Sequence, residues 1–183
     1  MKKLTLIVLA MMLVAMLCAC GGAGDTDTTT AAPAGNTTEA PNNNATPNTT
    51  PAGYLFTYNG VQFGVDIAAD GVISKLGTQK DEPYTSESCA FGGEDTVYYF
   101  SSIQVSTNNE LGYERIYSIY LEDDLVSTEE GICVGSTADQ VKTAYGEPGA
   151  NSTDSCLVYE KDGMTLSFNL TDGVVSTILY NDI

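Results

Sequence analysis

Met164-Thr165-Leu166-Ser167-Phe168-Asn169-Leu170-Thr171-Asp172-Gly173-Val174-Val175-Ser176-Thr177-Ile178-Leu179-Tyr180 is the stretch whose pattern decides the fold. Met164, Leu166, Phe168 and Leu170 alternate with Thr165, Ser167 and Asn169, the period of two that an antiparallel strand with one buried face requires. Asp172-Gly173 tolerates positive φ, so the chain turns back there into a second strand, Val174–Tyr180. The same logic recurs upstream, where Tyr54–Tyr58, Asn59-Gly60 and Val61–Val65 read as a hairpin with a type I′ turn. Further strands are predicted at 88–92, 96–101, 103–107 and 114–121.

Two segments break the alternation. Residues 137–145 read as a helix: Ser136 stands at the N-cap with Asp139 three positions on, Ala138, Val141, Ala144 and Tyr145 share one apolar face, and Gly146 with Pro148 ends it. A weaker counterpart covers about 68–76, with Val72, Ile73 and Leu76 apolar, Gly71 inside it and Gly77 as the stop. Set side by side, the two halves repeat. Leu76-Gly77 matches Tyr145-Gly146, Ser88-Cys89-Ala90-Phe91 matches Ser155-Cys156-Leu157-Val158, and Ile116–Asp123 matches Val175–Asp182. The Gly pair is 69 positions apart and the Cys pair 67, so the register of these two holds within two residues. The expected fold class is α+β: two helix-plus-antiparallel-meander repeats, about 54–124 and 125–183, sharing one sheet with the helices on one face.

Outside 54–183 the chain changes character. Residues 21–53 are Thr, Asn, Ala, Pro and Gly with a few acids, and they contain no aromatic and no aliphatic larger than Ala. Such a segment buries too little surface to offset its ordering entropy, so a disordered tether spanning roughly 30 Å is expected. Before it come Lys2-Lys3, an apolar run from Leu4 to Leu17 too short to span a bilayer comfortably, and small residues at its end. That is the layout of an export signal over residues 1–19.

Charge and composition exclude several classes. The chain has 7 Lys+Arg against 24 Asp+Glu, a net charge of −17 that becomes −19 without Lys2 and Lys3. Nucleic-acid binding and adhesion to anionic headgroups both draw on basic patches, and this balance argues against each. There is no histidine. Ser–His–Asp and Cys–His catalysis are therefore excluded, and the usual zinc and non-haem iron sites lose their commonest ligand. No metal or cofactor motif is present.

Leu17-Cys18-Ala19-Cys20 resembles the bacterial lipobox. That resemblance implies lipidation of Cys20 with a diacylglyceryl thioether, cleavage before it, and anchorage on the extracellular face of a cell membrane. One acyl chain is marginal and two anchor stably. Gly131-Ile132-Cys133-Val134-Gly135-Ser136-Thr137, with Val141 and Ala144-Tyr145-Gly146-Glu147-Pro148, resembles the helix approach and exit of two families. These are the β-lactamase-inhibitor-protein-like modules and the small outer-membrane lipoproteins of the barrel-assembly machinery. Tyr58-Asn59-Gly60-Val61 with Ser88-Cys89-Ala90-Phe91-Gly92 resembles lipoproteins of Firmicutes that carry two such units. The resemblances imply a fold and no catalysis, and no inhibitor contact residue maps onto this chain.

Candidate sites in the folded part are few. Cys89, Cys133 and Cys156 allow at most one disulfide and one buried thiol, and Cys89–Cys156 is the candidate pair if equivalent strands meet. Without histidine nothing activates Cys89 as a nucleophile. Glu94-Asp95, Glu122-Asp123-Asp124 and Glu129-Glu130 are acidic clusters without the spacing of a calcium loop, and they read as solvated turns. Tyr98, Tyr99, Tyr113, Tyr117 and Tyr120 gather on the middle strands. Alternation puts Tyr117, Ile119 and Leu121 on one face and Ile116, Ser118 and Tyr120 on the other, and the face without helices could present aromatics to a partner. The expected activity is a non-catalytic binding or protein-interaction module directed at an envelope or extracellular protein. The alternative is a carboxylate-based enzyme or solute-binding lipoprotein, which a deep pocket with a shifted carboxylate would favour.

Overall fold

The computed structural model describes residues 46–183. The export signal, Cys20 and most of the expected tether lie outside the described residues. Ten strands and two helices follow one another: β1 Phe56–Tyr58, β2 Val61–Phe63, β3 Ile67–Ala68, α1 Asp70–Ile73, β4 Tyr84–Glu87, β5 Glu94–Tyr99, β6 Ile103–Asn108, β7 Arg115–Leu121, α2 Ala138–Tyr145, β8 Cys156–Lys161, β9 Met164–Thr171 and β10 Val174–Asp182. β1 and β2 form a separate hairpin. The other strands make one antiparallel sheet in the order β4-β5-β6-β7-β10-β9-β8, with β3 also pairing β7. The fold is thus a mostly antiparallel sheet with few helices.

The deciding stretch forms as its pattern requires. Asp172 and Gly173 adopt φ of 53° and 75°, and β10 folds back on β9 with Val174 opposite Thr171. Asn59 and Gly60, at 49° and 78°, make the same turn between β1 and β2. Met164, Leu166 and Phe168 are buried together with Ile178 and Tyr180 of β10, Ile119 and Leu121 of β7, Ile103 and Val105 of β6, and Leu157 and Tyr159 of β8. Each such side chain removed from water contributes on the order of 1.5–3 kcal/mol. Phe56 packs on Tyr180 with ring centroids 5.8 Å apart, and Tyr58 on Phe100 at 6.0 Å, so the hairpin covers this face. α2 covers it as well, through Val141 and the contacts of Tyr145 with Tyr159 and Phe168, both at 5.2 Å.

Several expectations need correction. The N-cap of α2 is Thr137, not Ser136: its hydroxyl accepts from Gln140 N–H while the Gln140 side chain accepts from Thr137 N–H. Ser136 instead accepts from Cys133 N–H through its Oγ. Ala144 is exposed, so the apolar face is Ala138, Val141 and Tyr145. α1 has four residues rather than nine, because Ile67 and Ala68 are taken by β-pairing with Ile116 and Arg115. The strand expected at 88–92 is displaced to 84–87, and the chain from Ser88 turns, its hydroxyl accepting from Ala90 and Phe91 N–H. The folded part also begins before Tyr54. Asn48 C=O accepts from Ala68 N–H, its side chain donates to Asp66 C=O, and Gly53 lies against Met164.

β7 departs from strict alternation. Between Ser106↔Ser118 and Thr107↔Ile116 the register shifts, leaving Tyr117 as the extra residue of a bulge. Ile116 is therefore buried on the covered face with Ile119 and Leu121. Tyr117, expected among them, turns to the other face beside Ser106.

Candidate functional site

The two faces of the sheet differ in kind. Helix α2 and the β1–β2 hairpin both lie on one side, and α1 sends Val72 and Ile73 into the same core. Pairing across the strands defines a row on the opposite side: Tyr99↔Gln104, Gln104↔Tyr120, Tyr120↔Leu179, Leu179↔Ser167 and Ser167↔Val158. All six residues remain half-buried. This is a shallow face of two tyrosines, two aliphatics and two small polar groups. It has the mixed aromatic and polar make-up of recognition surfaces rather than the depth of a catalytic pocket.

Charged groups frame both ends of this face. At one end Glu122 accepts from Gln104 Nε2 at 2.6 Å and pairs with Lys80 at 2.8 Å. Burial raises the Glu122 pKa, but the hydrogen bonds from Gln104 and Lys80 and the Lys80 charge outweigh it, leaving the carboxyl below its ordinary value. At the other end Arg115 pairs with Asp182 and with Asp66, the latter at 3.1 Å, and lies 5.7 Å from the Phe91 ring centroid. Phe91 also meets Tyr117 edge-on at 5.2 Å. Arg115 lines a cleft of about 270 Å³ together with Asp66, Asp162, Met164 and Asp182. Its guanidinium is already matched by two carboxylates, so this cleft holds a structural ion pair.

A second, open cleft of about 390 Å³ lies at the end of α2, lined by Tyr54, Tyr145, Tyr159, Glu147, Asn151 and Glu160. Tyr145 donates to Glu130, Tyr159 donates to Gly146 C=O, and Lys161 stands 5.4 Å from the Tyr54 ring centroid. Burial raises the pKa of all three phenols. They stay protonated at neutral pH, as hydrogen-bond donors and apolar walls rather than bases. This trio escaped the sequence reading because its members come from the segment before β1, the end of α2 and the middle of β8. The short spacing of Tyr145 after Val141 on one helix face was the available signal.

The predicted tyrosine cluster divides between the faces. Tyr99 and Tyr120 lie on the open row and Tyr117 near its Arg115 end, whereas Tyr98 packs against the core and donates to both oxygens of Glu114 at 2.9 Å. The three cysteines are free, and Cys89 and Cys156 are not brought together. Cys89 follows edge strand β4 and Cys156 opens the opposite edge strand β8, roughly 30 Å away at about 4.8 Å per strand, where a disulfide needs under about 7 Å between Cα atoms. Burial raises the Cys156 pKa, which lowers its thiolate fraction. Among the described residues, no group of three or more Cys, Asp or Glu side chains is placed to hold a metal ion. Glu129 accepts from Thr57 and Glu130 from Tyr145, so both are drawn into side-chain bonds on the covered side.

No family model matches the chain, and no curated protein matches it. Among solved structures the chain is similar to an extracellular protein containing a SCP domain from Bacillus anthracis str. Ames, with 12% identity and a TM-score of 0.36. The match covers 63% of this chain and 43% of that one, so this chain spans less than half the length of that protein. Among the described residues no helix is long and apolar enough to cross a membrane.

Proposed function

We propose that this chain is a cell-surface lipoprotein, anchored through lipid on Cys20 to the extracellular face of the cell membrane. Its folded part is a non-catalytic module that binds an envelope or extracellular protein. The observation that carries the binding reading is the half-exposed row Tyr99, Gln104, Tyr120, Leu179, Ser167 and Val158 on the side of the sheet opposite the helices. The anchor is supported by the order of Lys2-Lys3, the apolar run to Leu17, and Cys18-Ala19-Cys20.

The reading of the folded part as two helix-plus-meander repeats draws support from the central pairing. Leu121 faces Ile178 and Ile119 faces Tyr180, while Tyr120 faces Leu179. Aligning Ile116–Asp123 with Val175–Asp182 makes Tyr120 and Leu179 equivalent, and it exchanges the two flanking pairs. A pseudo-twofold axis through Tyr120 and Leu179 accounts for that register. It also sets the proposed recognition row astride the junction of the halves.

Two measurements test these readings. Labelling cells with radioactive palmitate should mark the wild-type chain and leave Cys20→Ser unmarked and released from the membrane fraction. Equal labelling of both would refute the anchor. For the binding face, the full chain should retain an envelope protein that the Tyr99→Ala/Tyr120→Ala double variant, folded by circular dichroism, releases. Equal retention by both, or by neither, would refute it.

A further inference from the structure

The two edges of the sheet are treated differently. On the β8 edge the loop before the strand closes over its outer groups: Val158 N–H donates to Ser152 Oγ at 2.8 Å, Gly149 N–H to Val158 C=O at 2.8 Å, and Thr153 N–H to Cys156 C=O at 2.8 Å. Among the described residues nothing covers the β4 edge in this way. All four residues Tyr84–Glu87 are exposed, Tyr84 by 61%. Ser88 N–H donates to Gly93 C=O, which makes 88↔93 a hydrogen-bonded pair. Antiparallel alternation then assigns Ser86 and Tyr84 to bonded pairs with Asp95 and Val97, and turns the N–H and C=O of Thr85 and Glu87 outward. Asn109 N–H donating to Glu94 C=O agrees, since Glu94, opposite Glu87, directs its groups toward β6. Unpaired edge groups of this kind accept an added strand.

Charge selects what could be added. Glu87 lies directly across from Glu94, and Ser86 across from Asp95. Like charges opposite one another on a ladder are unfavourable. Asp81 and Glu82, both exposed, stand just before the strand and line a shallow groove of about 550 Å³ running on from it. Lys80, which directly precedes them in sequence, is paired with Glu122. A second copy of this chain would bring the same acids against each other, edge to edge, between molecules of charge −17. We propose that β4 receives an extended, lysine- or arginine-rich segment of a partner protein as an added strand. Thr85 and Glu87 supply the main-chain bonds, and Asp81, Glu82, Glu87 and Glu94 supply the complementary charge. This contact is separate from the tyrosine face and stands whether or not that face binds.

The probe is a short synthetic peptide of alternating Lys and Thr, titrated into the full chain in detergent and followed by backbone amide shifts. The expected result is perturbation centred on Tyr84–Glu87, weakened by salt and absent with the matching Glu–Thr peptide. Thr85→Pro removes one outward donor and keeps the main-chain ladder to β5, losing only the 3.0 Å hydroxyl contact with Thr96, which Thr85→Ala removes alone as the control. The proline should weaken binding roughly tenfold relative to the alanine, the equivalent of about one main-chain hydrogen bond. Methylating alternate peptide nitrogens should do the same with the protein unchanged. Binding insensitive to methylation would reduce the effect to general charge attraction and overturn the strand addition. Perturbation centred on Tyr99, Tyr120 and Leu179 would move the peptide to the tyrosine face, overturning this proposal while supporting that surface. Self-association through β4 without peptide would assign the edge to a second copy, and no binding at all would also refute the proposal.

Discussion

Two residues show how tightly single positions are constrained. Gly53 has φ of +75°, and a Cβ built there would sit 2.5 Å from Met164 Sδ and 3.0 Å from Lys161 C=O. Met164 is itself 2% exposed and held by the core, so it has little room to yield. Gly53→Ala should therefore lower the urea midpoint by an amount equivalent to about 2 kcal/mol, combining backbone strain with overpacking. An unchanged midpoint would mean that residues 46–53 are not seated as described. Tyr98 gives a pH-dependent counterpart. Burial, with the hydrogen bond to Glu114 and the charges of Glu114 and Asp70, pushes its phenol up to about 12 from 10.0. The unfolded chain releases this proton first, so the stabilisation is complete below about pH 10 and is lost as pH rises toward about 12. Urea midpoints measured across that window should fall more steeply for wild type than for Tyr98→Phe, which has no proton to release. Parallel slopes would remove Tyr98 from the account.

At the scale of elements, α2 depends on its first turn. It has eight residues, fewer than an isolated helix needs to persist in water, and Val141 is its one fully buried side chain. The reciprocal bonds between Thr137 and Gln140 satisfy donors that would otherwise face solvent. Thr137→Ala should cost about 1 kcal/mol by thermal or chemical unfolding. The sequence pattern located this helix within a residue but chose Ser136 for the cap, because Ser136-x-x-Asp139 and Thr137-x-x-Gln140 are both plausible boxes. Tertiary bonds decided between them: Gly135 N–H donates to Val175 C=O and Val175 N–H to Ser136 C=O, which pins Ser136 beside β10. The turns at Asn59-Gly60 and Asp172-Gly173 were legible because their positive φ leaves few residue choices. The β7 bulge was not, since Ile116-Tyr117-Ser118 alternates as well as any flat strand and the extra residue shows only against β6. The bulge placed Tyr117 on the face of Tyr120, while ordinary alternation along β5 sets Tyr99 on that face and Tyr98 on the core side.

For the molecule as a whole, stability should be graded from the middle of the sheet outward. β7 is bonded to β6 on one side and to β10 and β3 on the other, while Ile119, Ile178 and Tyr180 are fully enclosed. Removing one of these creates a cavity where neighbours cannot collapse, so Ile119→Ala should cost about 3–4 kcal/mol. β4 lies four strands from β10, has no buried side chain, and sets Glu87 against Glu94. Opening it exposes little apolar surface and relieves that repulsion, so it should open without the rest of the sheet. Amides of β7 and β10 should then exchange hydrogen only through global unfolding, with rates that track the urea-dependent stability. Those of β4 should exchange by local opening nearly independent of urea, and Thr85 and Glu87 should be fastest because their N–H groups already point outward. Exchange in β4 as slow as in β10 would show the edge to be covered in solution, which would remove both the graded sheet and the open strand proposed as a docking site.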